Sequence, residues 1–127
     1  MAPVAKIMIL DDSAIVLEAA RQQLTAAGYE VVTRSSPIGT TVAVRKARPD
    51  VVLVDITMPA LDGDKVVPLL RAAALEKKPA ILLFSDHEAS EVKRLAAACG
   101  ADGFVLKSEG PAALLREVRR VVESPPL

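Results

Sequence analysis

Short apolar segments alternate with segments of helical periodicity along the chain, and few folds accommodate this alternation. Five of the apolar segments are too short for stable helices and are rich in Val and Ile, so they predict β-strands. The predicted strands are Lys6–Leu10, Glu30–Thr33, Val51–Val54, Ala80–Phe84 and Gly103–Leu106. A βα unit repeated in this way predicts an α/β fold, a parallel sheet with helices on both faces and right-handed crossovers.

The intervening segments carry apolar residues at helical spacing and stop signals at their ends. The segment Val92–Cys99 places its apolar residues at i, i+3, i+4 and i+7, which is typical of one buried helix face. Gly28 follows the first helical stripe as a C-terminal cap, and Pro111 opens the last helix. Pro68 falls early in the helix after Gly63, so we expect that helix to start late or to kink.

The composition fits one domain and argues against several classes of function. We expect the domain to span residues 1–123, followed by a tail or linker stub at 124–127. Aromatic residues make up only 2%, and Lys plus Arg equals Asp plus Glu at 16 each, so nucleic-acid binding by this domain is not expected. The single Cys99 and the absence of a long apolar run predict a cytoplasmic protein that binds no membrane.

Polar side chains stand where the predicted strands end, at the edge where open α/β sheets bind their ligands. They are Asp11 and Asp12 after the first strand, Asp55 after the third, Ser85, Asp86 and His87 after the fourth, and Lys107 after the fifth. If these strands are neighbours, carboxylates, a hydroxyl and an ammonium converge on one crevice.

Each of these residues also has an interpretation that requires no chemistry. Asp12 or Ser13 would cap the first helix, Ser85 would cap the fourth, and Lys107 would be a solvated charge at a strand end. Asp55 is harder to explain in this way, because an unpaired acid at the end of a buried strand costs free energy. The set as a whole therefore favours a shared role.

A shared role follows from the chemistry of these groups. Clustered carboxylates repel one another unless a cation lies among them, and ligand sets of oxygen atoms favour Mg²⁺. A metal, the Ser85 hydroxyl and the Lys107 ammonium together suit a phosphoryl group. The chain lacks both a Cys/His cluster for zinc and a GxxxxGK[ST] loop for a nucleotide. The remaining acceptor is a protein carboxylate, with Asp55 as the nucleophile that forms an acyl phosphate.

Four motifs in chain order resemble the receiver domain of bacterial two-component response regulators. They are ILDDS at 9–13, LVDITMPALDG at 53–63, LLFSD at 82–86 and GADGFVLK at 100–107. The resemblance covers almost the whole chain and implies a flavodoxin-like (βα)5 fold with a five-stranded parallel sheet in the order 2-1-3-4-5.

The resemblance also implies a role for each matching residue. Asp55 is then the phosphoacceptor, and Asp12 and Asp55 ligate Mg²⁺ directly together with the backbone carbonyl of Thr57. Asp11 acts on the metal largely through water, and Lys107 contacts the phosphoryl group. Ser85 and Phe104 stand at the positions of the switch hydroxyl and the switch aromatic residue. A permanently buried Phe104 is the alternative.

Several positions depart from the family pattern or tune it. Ser108 follows Lys107 where many members have Pro after a cis bond, and we expect a trans bond here. Asp86 stands where a small residue is usual, and its charge would repel an incoming phosphoryl group. Thr57 and His87 occupy positions that tune the access of hydrolytic water, although His87 is also explained as a solvated loop residue.

These assignments predict a phosphoryl-accepting signalling switch that takes its phosphoryl group from a histidine kinase or a phosphotransfer protein. The expected output is a changed protein-binding face that acts on a downstream target or on an effector domain outside this chain. We expect such a protein not to be an enzyme, since it catalyses only its own phosphorylation and dephosphorylation. The alternative is a pseudo-receiver, a protein-interaction module on the same fold that is not phosphorylated, and Asp86 is its best support.

Overall fold

The computed structural model describes residues 3–124, which form five strands, five α-helices and one short 3₁₀ turn. The strands are β1 (Lys6–Leu10), β2 (Glu30–Arg34), β3 (Val51–Asp55), β4 (Ala80–Ser85) and β5 (Gly103–Leu106). The α-helices are α1 (Ala14–Ala26), α2 (Thr40–Ala47), α3 (Gly63–Ala72), α4 (Ala89–Cys99) and α5 (Gly110–Glu123), and the 3₁₀ turn covers Lys107–Glu109. Every predicted strand is present, and residues 125–127 of the predicted tail lie outside the described residues.

The strands form one parallel sheet in the order β2-β1-β3-β4-β5, which confirms the predicted flavodoxin-like topology. Helices α1 and α5 cover one face, where they pack on residues such as Ile9, Leu53 and Leu82. Helices α2, α3 and α4 cover the other face, where they pack on residues such as Leu10 and Val54. Strands β3 and β4 are buried at every position because both of their faces are covered, which explains their uninterrupted apolar sequences.

The ends of α1 are set by local chemistry that the sequence indicates. Ser13 is the N-cap, and its Oγ accepts a hydrogen bond of 3.3 Å from the Val16 amide, so Asp12 is not needed as the cap. Gly28 has a φ of 97°, and the chain reverses there through a Schellman arrangement. In this arrangement Tyr29 N–H donates to the Leu24 carbonyl at 3.1 Å.

Helix α3 differs from its prediction. It begins at Gly63 and contains Pro68 in its interior, so the expected late start was wrong. Pro68 is exposed, and water can there replace the hydrogen bond that its missing N–H would have made. Pro111 lies in the first turn of α5, as predicted.

The start of α3 lies directly against the end of β3, and Gly63 makes this approach possible. A Cβ atom at Gly63 would lie 1.9 Å from the Asp55 carbonyl oxygen and 2.7 Å from its carbon. The Gly63 amide donates a 2.7 Å hydrogen bond to the Ile56 carbonyl. Gly63 is therefore needed for space, and through it α3 and the end of β3 are held together.

We expect Gly63→Ala to destabilise the protein by about 3 kcal/mol or more, since α3 must move away from β3 to relieve the overlap. Chemical denaturation of the two proteins measures this difference. Gly100→Ala is the matched control, because Gly100 has a φ of 85° and a Cβ atom added to it would have no neighbour within 4 Å. Gly100→Ala should lower the free energy of unfolding by only about 1–2 kcal/mol, because an alanine there must adopt a left-handed backbone conformation. Equal losses in the two variants would contradict the steric argument.

Candidate functional site

Three carboxylates meet at the carboxyl edge of the sheet. Asp11 and Asp12 follow β1, and Asp55 ends β3, which lies beside β1. One oxygen of each lies within 4.8 Å of the others. Asp11 and Asp55 are buried and Asp12 is exposed, so the cluster opens to solvent on one side. The structure therefore brings together the three acids that the sequence singled out.

Lys107 offsets part of the negative charge of this cluster. Its Nζ lies 2.7 Å from Asp11 Oδ2 and 3.3 Å from Asp55 Oδ1, and only 19% of its side chain is exposed. The ammonium reaches these oxygens because Lys107 begins the 3₁₀ turn after β5. The peptide bond to Ser108 is trans, as expected. Lys107 is thus an ion-pair partner of the site and not a solvated charge.

The electrostatics of the site follow from burial and from the proximity of like charges. Burial, together with the neighbouring Asp11 carboxylate, raises the pKa of Asp55 to about 6. Burial lowers the pKa of Lys107, but the carboxylates of Asp11 and Asp55 raise it by more, so the net pKa lies above the usual value. The Lys107 ammonium therefore stays charged, and the pKa of the Asp55 carboxyl lies not far below neutral pH.

Asp11 has an oxygen that suits a cation ligand. Its Oδ1 accepts a hydrogen bond of 2.9 Å from the Ser13 amide. Its Oδ2 is buried, and among the described residues it accepts no hydrogen bond. This oxygen forms an ion pair of 2.7 Å with the Lys107 ammonium. A buried carboxylate oxygen with spare acceptor capacity, next to two further carboxylates, fits a hard divalent cation.

Ser85 closes β4 beside the acids but on the opposite face of the sheet. It is fully buried, and its Oγ accepts a hydrogen bond of 2.9 Å from the His87 amide. It does not cap α4, which begins at Ala89. Its neighbour in β5 is Leu106, and Phe104 lies two residues earlier on the same face. Phe104 is only partly buried against the core under α4, so the alternative of complete burial does not hold in this structure.

The side chains of Thr57 and His87 meet in an exposed position, two residues after Asp55 and Ser85 respectively. Thr57 Oγ1 and His87 Nε2 are 2.9 Å apart, and His87 Nδ1 lies 3.6 Å from Glu91 Oε2. His87 is a partly exposed loop residue with two polar neighbours, and its role in tuning water access stays a prediction. Sequence reasoning missed Glu91, although its i+4 spacing from His87 is a usable signal. Asp86 is exposed, and within residues 3–124 it does not belong to the group of three acids.

The loop between β3 and α3 shapes the edge of the site next to Thr57. Ala60 has a φ of 75°, and the Leu61 amide donates a 2.9 Å hydrogen bond to the Pro59 carbonyl. This pattern is a γ-turn with a positive central φ, a strained conformation that neighbouring contacts must maintain. The buried Met58 side chain and the bond from the Gly63 amide to the Ile56 carbonyl supply such contacts.

Comparison with known families agrees with this geometry. A family model described as the response regulator receiver domain matches residues 7–119. The match includes the three clustered aspartates, Ser85 and Lys107. The chain belongs to the response regulator receiver domain family. Among the described residues of this receiver domain, no helix has the length and apolar character needed to cross a membrane.

The chain is similar to proteins of several regulatory classes, among them a transcriptional regulator and a chemotaxis regulator. The transcriptional regulatory protein KdpE of Mycobacterium tuberculosis is 34% identical over 91% of this chain and 50% of its own length. The chain thus spans about half the length of the curated relatives that it matches. The chemotaxis response regulator CheY4 of Vibrio cholerae is 32% identical with a TM-score of 0.83, covering 92% of this chain and 98% of that one. The BeF3-activated receiver domain of Klebsiella pneumoniae RstA is 26% identical with a TM-score of 0.83, covering 92% and 97%.

The raised pKa of Asp55 predicts how the stability of the metal-free protein depends on pH. The folded state holds the Asp55 proton up to about pH 6, whereas an unfolded Asp releases it near its ordinary pKa of about 4. This group therefore stabilises the folded state most below about pH 4, and the contribution is lost as the pH rises through about 6. In EDTA above pH 6, we expect Asp55→Asn to be more stable than the parent by about 2 kcal/mol.

Denaturation at pH 4, 5, 6 and 7 measures this difference. The gap between parent and variant should widen as the pH rises. Asp62→Asn is the matched control, because Asp62 is exposed at the N-cap of α3 and makes no side-chain capping bond. Stability curves of parent and Asp55→Asn that stay parallel from pH 4 to 7 would contradict the assignment.

Proposed function

We propose that this receiver domain is a phosphoryl-accepting switch in which Asp55 takes a phosphoryl group from a histidine kinase or a phosphotransfer protein. The observation that carries the proposal is a buried carboxylate at a strand end, 3.3 Å from a lysine ammonium and clustered with two further acids. A purely structural role for this arrangement is disfavoured, because buried like charges cost free energy.

Mg²⁺ is the cofactor that these residues would hold. Asp12, Asp55 and the backbone carbonyl of Thr57 would ligate it directly, and Asp11 would act largely through water. When bound, the ion supplies positive charge that offsets the carboxylates and the phosphoryl oxygens. Support comes from the all-oxygen donor set and from the buried Asp11 Oδ2, which has spare acceptor capacity.

The transfer step is a displacement at phosphorus. A carboxylate oxygen of Asp55 attacks the phosphorus atom, and the phosphorus–nitrogen bond of the donor phosphohistidine breaks. The electron pair of that bond stays on the imidazole, and the product on Asp55 is an acyl phosphate. Asp55 must be ionised to attack, and with a pKa of about 6 it is mostly ionised at neutral pH. The Lys107 ammonium offsets the charge of the phosphoryl oxygens.

Hydrolysis of the acyl phosphate needs a water molecule to reach the phosphorus atom. Thr57 follows Asp55 by two residues and contacts His87, and Glu91 lies beside His87. We assign these side chains the tuning of water access, and hence of the phosphoryl lifetime. We also propose that the charge of Asp86 slows the entry of the phosphoryl group from a distance, because the Asp86 side chain is exposed.

The switch would use Ser85 and Phe104. A phosphoryl group on Asp55 offers oxygens that compete with the present arrangement of the Ser85 hydroxyl, which accepts from the His87 amide. When Ser85 moves toward the phosphoryl group, space opens on its own sheet face, where the partly buried Phe104 also lies. Helix α4, strand β5 and helix α5 form the face that changes, and a downstream protein binds there.

The proposed location and partners follow from this role. A histidine kinase or phosphotransfer protein donates the phosphoryl group in the cytoplasm, and output passes to a target protein or to an effector region outside these residues. Balanced charge argues against nucleic-acid binding by this domain. The domain catalyses no reaction other than its own phosphorylation and dephosphorylation. The pseudo-receiver alternative is disfavoured, since Asp86 lies outside the acid cluster.

Phosphorylation of Asp55 is tested by mass spectrometry of the intact protein after incubation with acetyl phosphate and Mg²⁺. We expect one phosphoryl increment, its loss in Asp55→Asn and its absence in EDTA. Asp62→Asn is again the control and should react like the parent. The same increment in Asp55→Asn would place the acceptor at another residue, and no increment in the parent would favour the pseudo-receiver alternative.

The switch is tested by amide hydrogen exchange with and without beryllofluoride. Exchange in α4, β5 and the start of α5 should change when the phosphate mimic binds, because Ser85 and Phe104 rearrange there. Ser85→Ala should remove this change while Asp55 still takes up the phosphoryl group. Identical exchange in the parent with and without beryllofluoride would contradict the switch.

A further inference from the structure

The Phe84 side chain lies beside the ammonium group of Lys107, on the face of the sheet that α1 and α5 cover. Lys107 Nζ is 5.2 Å from the centroid of the Phe84 ring. Phe84 is 6% exposed and belongs to the core under α1 and α5. Its strand neighbours are Asp55 on β3 and Val105 on β5, and Lys107 lies two residues after Val105. The sheet register therefore places Phe84 on the strand between those of Asp55 and Val105, with its ring beside the Lys107 ammonium.

The Phe84 ring is a neutral partner of the ammonium. The ammonium also contacts the carboxylates of Asp11 and Asp55, and both belong to the cluster that fits a cation. A bound metal ion would offset the charge of those carboxylates, and a phosphoryl group would occupy an oxygen of Asp55, so both ion pairs would weaken when the site is loaded. The attraction between a cation and an aromatic face does not depend on either carboxylate.

The ring also forms part of a groove beside the ammonium. This groove has a volume of about 240 Å³ between α1 and α5, and Phe84, Lys107, Ile15 and Leu114 are among its lining residues. Water in the groove can approach the Lys107 side chain, and the ring covers part of that approach. Removing the ring leaves the ammonium more hydrated, and a more hydrated ammonium attracts phosphoryl oxygens less strongly.

We propose that Phe84 is a positioning residue for the phosphoryl site, which holds the Lys107 ammonium beside Asp55 through a cation–π contact when the ion pairs with the carboxylates weaken. The proposal rests on the proposed function, because it assigns Phe84 a role in binding the phosphoryl group. The apolar Phe84 ring offers no ligand atom to a metal or a phosphoryl group, and it acts through Lys107. Its effect should therefore appear in phosphoryl binding and not in metal binding.

The test compares Phe84→Leu, Phe84→Tyr and the parent protein. Affinity for Mg²⁺ alone is measured first, and affinity for beryllofluoride at saturating Mg²⁺ second. Phe84→Leu keeps an apolar side chain but removes the ring, so beryllofluoride should bind about three- to tenfold more weakly with unchanged Mg²⁺ affinity. Phe84→Tyr keeps the ring, and its hydroxyl can extend into the groove, so its beryllofluoride affinity should stay within about twofold of the parent.

Leu82→Val is the matched control, because Leu82 precedes Phe84 by two residues on the same strand and belongs to the same core. It should lower the melting temperature without changing the ratio of beryllofluoride to Mg²⁺ affinity. NMR supplies a readout without ligand. The ε-methylene protons of Lys107 should be shifted upfield by the ring in the parent and in Phe84→Tyr, and should return to ordinary values in Phe84→Leu.

The outcomes distinguish a failure of the proposed function from a failure of the role assigned to Phe84. If the parent does not bind beryllofluoride with Mg²⁺, the proposed function fails and the role of Phe84 fails with it. If the parent binds but Phe84→Leu binds equally well, only the role of Phe84 is overturned. A loss of Mg²⁺ affinity in Phe84→Leu that matches the loss for beryllofluoride would also overturn it, because it would indicate a general disturbance of the site.

Discussion

The arrangement of this domain depends on the balance between two buried carboxylates and one lysine ammonium. Asp11 and Asp55 end adjacent strands, so the parallel sheet forces their charges together at one edge. Lys107 lies across both at 2.7 and 3.3 Å and offsets part of the repulsion. The balance is incomplete, because the pKa of Asp55 stays raised to about 6. A cluster with uncompensated negative charge is suited to binding a further cation. The same charge lowers the stability of the folded protein when no cation is bound.

The sheet separates the parts of the site by face. Side chains alternate along each strand, so Asp55 falls on the face under α1 and α5, together with Phe84 and Lys107. Ser85 falls on the other face, with Phe104 and the core under α4. Asp55 and Lys107 thus lie on one side of the sheet, and Ser85 and Phe104, to which we assign the proposed switch, lie on the other. Adjacent residues of one strand, Phe84 and Ser85, connect the two sides.

Most of the fold was predictable from the sequence, because each strand and each helix end has a local cause. Five short apolar segments predicted the strands, and the polar residues that follow them predicted the acid cluster. Ser13 and Gly28 indicated the two ends of α1. The late start of α3 was wrong, since Pro68 lies on an exposed side of the helix where the missing hydrogen bond is tolerated. Propensity alone does not report which side of a helix meets solvent.

The sequence by itself determined the five strands, most helix ends and the residues at the edge of the sheet, because periodicity and strand ends are local properties of the chain. The strand order was implied only by the resemblance to a known family, since the pairing of strands distant in the chain is not a local property. Only the tertiary structure decided which side chains touch. It joined His87 to Thr57 and Glu91, left Asp86 outside the acid cluster and set the Phe84 ring beside Lys107. These contacts depend on strand register and on the packing of helices distant in the chain, and distances of a few ångströms between such elements are not encoded in any local pattern.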